Sequence, residues 1–291
     1  MAEDNNSGVN GKPDRAVVVT GASSGIGRAC CLHLDSVGYR VFATVRKPSD
    51  GEHLQKDTSG RIVPVLMDVT EPQQVREAAT CVDQMTGKTG LKGLINNAGI
   101  VITGPLEFLP IEELERQFSI NVTGQITSSQ AFLPLLRRGG GRIINVGSIS
   151  DRIALPFLGP YAASKAALAS LSEALRRELR PWHIPVSLIE AGNIQTPLRE
   201  KSLAIAAEII SQLPEAAERL YGPAFEKQMN VRRKIQAATA VEEAAQFIRR
   251  ILETKRPKPR YLLGRDARFA AAMARLVPKR VLDRILGLEL S

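Results

Sequence analysis

The sequence predicts an α/β domain built on a doubly wound, mostly parallel sheet. Three observations point there. Short runs of β-branched and other apolar residues recur along most of the chain, with helix-like segments between them. The first run leads at once into a glycine-rich turn and a helix, an arrangement that aims backbone N–H groups and the positive end of a helix at a phosphate. Further along, Tyr161 and Lys165 stand four residues apart in a helix-forming stretch, which places a phenol and an ammonium on one face.

The elements follow in order. Residues 1–14, rich in Asn, Gly and Asp and without periodicity, are expected to be a disordered leader. Residues 16–20 form a short apolar strand buried on both faces. Gly21, Ala22, Ser23, Ser24, Gly25, Ile26 and Gly27 make the turn, and the helix after it runs through Leu34. Glycines at 21, 25 and 27 allow positive φ and a close approach of phosphate to the main chain. Further strands are expected at 40–45, 62–67, 91–96, 142–146, 186–189 and 261–263, and helices at 72–85, 111–136, 161–180 and 241–252. In such a sheet the ligand lies at the carboxyl ends of the strands. Residues 197–235 are an insertion in which Leu198, Leu203, Ile209, Tyr221 and Phe225 are spaced among charges. They predict a helical lid over the site and an apolar ligand beneath it. Leu155, Pro156, Phe157 and Leu158 add a hydrophobic wall just before Tyr161.

Composition limits the alternatives. Hydrophobic residues are 44% and charged residues 24% of the 291 positions, enough for a large core. No linker divides the chain, and residues 15–265 read as one domain. Cys30, Cys31 and Cys81 are too few and too irregularly spaced for a disulfide framework or a zinc site, so no metal is expected. The polar, acidic start lacks the pattern of a signal peptide, and no uninterrupted apolar run reaches the length of a membrane span. A cytoplasmic protein is expected.

The net charge of +9 is concentrated at the end, where positions 255–291 hold ten basic and three acidic residues. Residues 266–291 read as a basic amphipathic extension, with Phe269, Met273, Val277, Val281 and Ile285 near one side and a break at Pro278. Its charges read first as a solvated helix surface, and the segment is expected to cover its own fold, the active site or a second subunit, or to touch a membrane surface peripherally. No nucleic-acid partner is expected, because no aromatic stacking pattern accompanies the charges.

Tyr161 and Lys165 suggest acid–base chemistry. A free phenol, with a pKa of about 10, is a poor proton donor at neutral pH. A unit charge at ~4 Å in an effective dielectric of ~20 is worth about 4 kcal/mol, or roughly three pKa units. A neighbouring lysine could therefore bring the phenol near 7.

Thr20-Gly-Ala-Ser-Ser-Gly-Ile-Gly27, Asn96-Asn-Ala-Gly99, Asn121, Ser148 and Tyr161-x-x-x-Lys165 occur in the order and spacing of the short-chain dehydrogenases/reductases. Over residues 15–265 the chain resembles that family. The resemblance implies a Rossmann-type single domain, a nicotinamide dinucleotide and a hydride-transfer reaction. Tyr161 would donate a proton to a carbonyl oxygen and also contact the cofactor, and Lys165 would lower its pKa and bind the nicotinamide ribose. Ser148 would orient the substrate oxygen, and Asn121 would hold a water in the proton relay. Gly21, Ser23, Ser24, Gly25, Ile26 and Gly27 would cradle the cofactor phosphates. Asp68 and the Val69 backbone would meet the adenine, Asn97, Ala98 and Gly99 the adenosine ribose, and Ile194 and Thr196 the carboxamide. The family usually has Pro-Gly where this chain has Ala191-Gly192. A homo-oligomer is also implied, formed through the helices at 111–136 and 161–180.

Cofactor choice is read from Thr44-Val45-Arg46-Lys47 at the end of the second strand. An acidic side chain there would accept from a ribose 2′-hydroxyl, whereas an arginine suits a 2′-phosphate. Val45 and Arg46 therefore favour NADP(H), with NAD(H) as the second choice. Residues 187–192, Tyr221-Gly222 and residues 260–266 resemble the steroid and retinol dehydrogenase branch, implying a steroid, retinoid or similar apolar carbonyl/alcohol pair. The alternative is a non-catalytic dinucleotide-binding regulator or redox-sensing module on the same fold. The presence of Ser148, Tyr161 and Lys165 weighs against it.

Overall fold

The computed structural model describes residues 15–56, 58–234 and 239–285. The elements in chain order are β1 (Ala16–Val19), α1 (Gly25–Ser36), β2 (Arg40–Val45), α2 (Pro48–Gln55), β3 (Ile62–Leu66), α3 (Pro72–Thr86), β4 (Gly93–Asn96), α4 (Ile111–Phe118), α5 (Gly124–Gly139), β5 (Ile143–Val146), α6 (Gly159–Glu178), β6 (Val186–Ala191), α7 (Leu198–Ser211), α8 (Glu215–Lys234), α9 (Val241–Glu253), β7 (Arg260–Leu263), α10 (Arg265–Leu276) and α11 (Lys279–Ile285).

Among the described residues, seven strands form one sheet in the order β3-β2-β1-β4-β5-β6-β7, and every pair is parallel. The order reverses between β1 and β4, which opens a crevice at their carboxyl ends. Alternation along each strand divides the core in two. Val17 and Val19 of β1 face Cys30, Cys31 and Leu34 of α1 and Ala244, Ala245 and Ile248 of α9. Ala16 and Val18 face the other layer, with Val75 and Val82 of α3 and Phe132 and Leu136 of α5. Burial on both faces explains why the central strands are continuous apolar runs. Each fully buried large side chain contributes about 1.5–3 kcal/mol.

Most strands and helices fall within a few residues of their expected bounds, and two differences have physical causes. Helix α2 was not expected, because Pro48 and Gly51 obscure its pattern. Pro48 occupies the first turn, where a missing N–H costs nothing. Gly51 is needed there because a Cβ would lie 2.7 Å from Pro64 Cβ on β3. The single helix expected over 111–136 is instead α4 and α5, joined by a π-helical turn at Ser119–Thr123. The wide turn carries Asn121 into the interior, while Gly124 packs where a Cβ would sit 2.9 Å from Val69 O.

The insertion after β6 is the helix pair α7 and α8, broken before Pro214. In the C-terminal extension, α10 and α11 are separated at Pro278 as expected. Helix α10 turns Ala267 and Ala271 inward but leaves Phe269 68% and Leu276 77% exposed. Of the expected apolar side, Phe269 and Val281 are exposed and Met273 and Val277 only half-buried, so the side chains seated on the fold are Ala267, Ala271 and Leu282 instead. No described helix is long and apolar enough to cross a membrane. The expected leader at 1–14, residue 235 of the expected lid and the end of the extension at 286–291 lie outside the described residues.

Candidate active site

The glycine turn begins at the carboxyl end of β1 and is shaped by contacts that only glycine permits. Gly21 and Gly25 have φ of +65 and +56, in the left-handed region. A Cβ on Gly27 would lie 2.3 Å from Gly21 O and 2.6 Å from Asn97 Nδ2. The turn after β4 braces it. Asn97 Nδ2 donates to Thr20 O at 2.9 Å and Gly21 O at 3.1 Å, while the amides of Asn97 and Ala98 donate to Thr20 Oγ1 at 2.9 and 3.0 Å. Ser24 stands at the start of α1 with extended backbone and makes no side-chain cap, and the first turn carries no acid. Ser23 is exposed, and Ile26 is half-buried against the core. Uncapped N–H groups at a positive helix end fit a pyrophosphate.

Thr196 packs on this loop, since a Cβ on Gly25 would lie 3.3 Å from Thr196 Cβ. Ile194 bridges to Thr239. Asp266, in the first turn of α10, fixes the preceding backbone by accepting from Asn193 N at 2.6 Å. A Cβ at 192 would lie 2.3 Å from Asp266 Oδ1, so a larger residue there would displace this carboxylate from its contact with Asn193.

Arg46, just beyond β2, has a side chain 70% exposed, and its Nη1 lies 4.0 Å from Asp68 Oδ2. The other Asp68 oxygen accepts from Thr70 N at 3.0 Å and Thr70 Oγ1 at 2.8 Å. Val69 is buried beside Gly124. Arg46 and Asp68, expected to meet different parts of a cofactor, are thus neighbours at the ends of adjacent strands.

Ser148 and Lys165 adjoin the carboxyl end of β5, Tyr161 lies one turn from Lys165, and Asn121 joins them through Ser164. Ser148 follows the strand, and its Oγ accepts from Ser150 N at 3.2 Å. Tyr161 lies in the first turn of α6, with Lys165 one turn later. The buried Lys165 ammonium donates to Val146 O at 2.8 Å and lies 5.8 Å from the centre of the Tyr161 ring. Burial pushes Lys165 down to about 8, so it is mainly charged at neutral pH.

Asn121 is fully buried. Its Oδ1 accepts from Ile100 N at 2.9 Å, while Nδ2 donates to Ile100 O at 3.0 Å and Ser164 Oγ at 3.1 Å. Ser164 Oγ in turn donates to Tyr161 O at 2.7 Å. The side chain thus ties the backbone after Gly99 to the helix of Tyr161 through protein partners. Ser164 was missed in the sequence because a lone serine in a helix carries no local signal.

A charged cluster flanks the segment after Ser148. Arg152 forks onto Glu190, with Nε to Oε1 at 2.6 Å and Nη2 to Oε2 at 2.8 Å. Arg260 reaches Asp151 and lies 3.4 Å from Glu190 Oε1. Burial first, then Glu190, pushes the Asp151 carboxyl up to about 7.

Helices α7 and α8 border a cavity of about 290 Å³ whose lining combines Ile210, Leu213, Tyr221, Phe225 and Met229 with Glu218 and Glu226. Neither Tyr161 nor Ser148 lines it. Phe157, four residues before Tyr161, links the two regions through ring contacts with Tyr221 at 6.3 Å and Phe225 at 5.2 Å. Phe157 has φ of +64, and Tyr221 Oη donates to Glu107 Oε2 at 2.6 Å. The whole arrangement offers an anion cradle, a phenol beside a buried cation, a hydroxyl and a mainly apolar cavity.

A sequence model described as short chain dehydrogenase matches residues 15–207. Retinol dehydrogenase 5 of Mus musculus is 36% identical over 280 residues, covering 94% of this chain and 88% of that protein. An NADPH-dependent 3-dehydrocapnine reductase of Ornithobacterium rhinotracheale is 33% identical, with 95% and 97% covered. The 17-beta-hydroxysteroid dehydrogenase type 6 of Homo sapiens is 32% identical, with 94% and 88% covered. A crystal structure of a short chain dehydrogenase from Burkholderia cenocepacia in complex with NADP superposes with a TM-score of 0.72 at 29% identity, covering 94% of this chain and 97% of that one.

Proposed function

The chain belongs to the short-chain dehydrogenases, and on that premise we propose that it transfers a hydride between NADP(H) and the carbonyl or alcohol group of a mainly apolar substrate, such as a steroid or a retinoid. The observation that carries this reading is the joint placement of Ser148, Tyr161 and Lys165 at the end of β5, across the crevice from the glycine turn. The nicotinamide, when bound, supplies or accepts the hydride. The protein holds the substrate oxygen and moves its proton. Tyr161 donates to the carbonyl oxygen in reduction and accepts from the hydroxyl in oxidation, while Ser148 fixes that oxygen by a hydrogen bond. Lys165, held charged against Val146 O, favours the phenolate that remains. Asn121 keeps Ile100 and Ser164 in register with this group.

The cofactor reading rests on Arg46 and the lack of an acid at the end of β2. It is supported by the NADP bound to the Burkholderia relative and by the NADPH dependence of the Ornithobacterium enzyme. NAD(H) is the second choice. The apolar substrate is supported by the lining of the α7–α8 cavity and by the retinol and hydroxysteroid dehydrogenases among the relatives. In this reading residues 197–235 act as the lid and 266–291 as a C-terminal extension. A cytoplasmic setting and a homo-oligomer are part of the proposal, and Leu171, exposed on α6, is a side chain such an interface would bury.

The test is reduction of retinal and a panel of ketosteroids with NADPH and with NADH, by the wild type and Tyr161→Phe. The wild type should prefer NADPH. The variant should bind NADPH normally while kcat falls by at least about 100-fold, the lower range for a positioned general acid. Cofactor binding without turnover of any carbonyl would defeat the enzymatic reading and favour a regulatory one.

A further inference from the structure

Lys201, in the first turn of α7, lies far from the glycine turn in sequence but reaches it in space. Its Nζ donates to Ser24 Oγ at 3.3 Å, across 177 positions of chain. The start of α7 rests on the same turn, since a Cβ on Gly25 would lie 3.3 Å from Thr196 and 3.9 Å from Pro197. Ser24 directly precedes α1, whose first turn contains no acid, and no carboxylate among the described residues forms a salt bridge with Lys201. An exposed ammonium thus stands beside the positive end of a helix, with no salt-bridged carboxylate between them among the described residues. Like signs repel at such a separation, and an anion between them reverses the balance.

We propose that Lys201 binds a phosphate of the dinucleotide and that α7 thereby clasps the cofactor. This rests on the dinucleotide-binding reading above. It adds a basic residue, delivered by the helix pair after β6, to the exposed Arg46 at the end of β2. Two phosphate groups of the cofactor share the required chemistry, the pyrophosphate and the 2′-phosphate of NADP(H). In either case cofactor binding and the seating of α7 are linked, because the same contact serves both.

The experiment is a fluorescence titration of the wild type, Lys201→Gln and Lys201→Arg with NADPH and NADH, together with hydrogen exchange of the α7 amides. Lys201 is exposed, so unchanged thermal melting of the free variants is expected. Lys201→Gln should lose about tenfold in affinity, the scale of a charge-assisted contact, and Lys201→Arg should retain most of it. Equal loss for both cofactors assigns the pyrophosphate, and loss for NADPH alone assigns the 2′-phosphate. In the wild type NADPH should slow exchange along Leu198–Ser211, with the protection reduced in Lys201→Gln. Wild-type affinity and wild-type protection in Lys201→Gln would overturn the assignment while leaving the dinucleotide reading intact. Failure of the wild type to bind either cofactor would overturn both.

Discussion

At the scale of single residues, the proposed mechanism makes the action of Tyr161 depend on the protonation of Lys165. Val146 O accepts from the lysine, but a neutral carbonyl only partly offsets burial, and the pKa falls to about 8. Below that value the ammonium is present and, in the proposed mechanism, stabilises a developing phenolate. Above it the lysine loses its charge and Tyr161 loses the assistance. The expected result is a fall in kcat/KM for carbonyl reduction above about pH 8, measured under saturating NADPH. A flat profile through pH 10 would contradict it. The Tyr161 and Lys165 spacing was legible because it is local and helical. The anchor on Val146 was not, since it joins a helix to a strand 19 residues earlier. The same holds for Ser164, whose importance lies in joining Asn121 to Tyr161.

At the scale of elements, the turn after β5 is fastened to β6 and β7 by a cluster with its own pH dependence. Asp151 and Glu190 face each other among Arg152 and Arg260. In the folded chain Asp151 holds its proton up to about 7, against an ordinary value of 3.8. A carboxyl raised in this way stabilises the fold fully below the unfolded value, and this contribution is lost as pH rises through the folded one. The wild type should therefore lose stability relative to Asp151→Asn between about pH 4 and 7, followed as the difference in Tm. A pH-independent difference would show that Asp151 is not the group responsible. No sequence pattern announced this cluster, because its charges come from three separate elements. Strands, in contrast, were legible as apolar runs wherever both faces are covered. Helix α2 was hidden by Pro48 and Gly51, and the π-helical turn by the ordinary helical pattern on either side of it.

At the scale of the whole molecule, the alternation of strands and helices was enough to read the doubly wound sheet, and the glycine turn lies at the carboxyl end of β1, where the proposal puts the cofactor. The remaining features depend on long-range closure. Lys201 reaches Ser24 across the crevice, and Asp266 steadies the backbone between Gly192 and Thr196 from the start of the C-terminal extension. Fold closure also sorts the three thiols counted in the sequence. Cys30 and Cys31 are fully buried in the α1 layer, where burial pushes both thiols well up, whereas Cys81 is exposed on α3. A thiolate is the reacting form. In a colorimetric disulfide-exchange assay the native protein should release one equivalent of chromophore promptly and the other two only on denaturation. The protein thus carries a natural single attachment point, through which a dye can be placed on α3 without altering any residue of the proposed site.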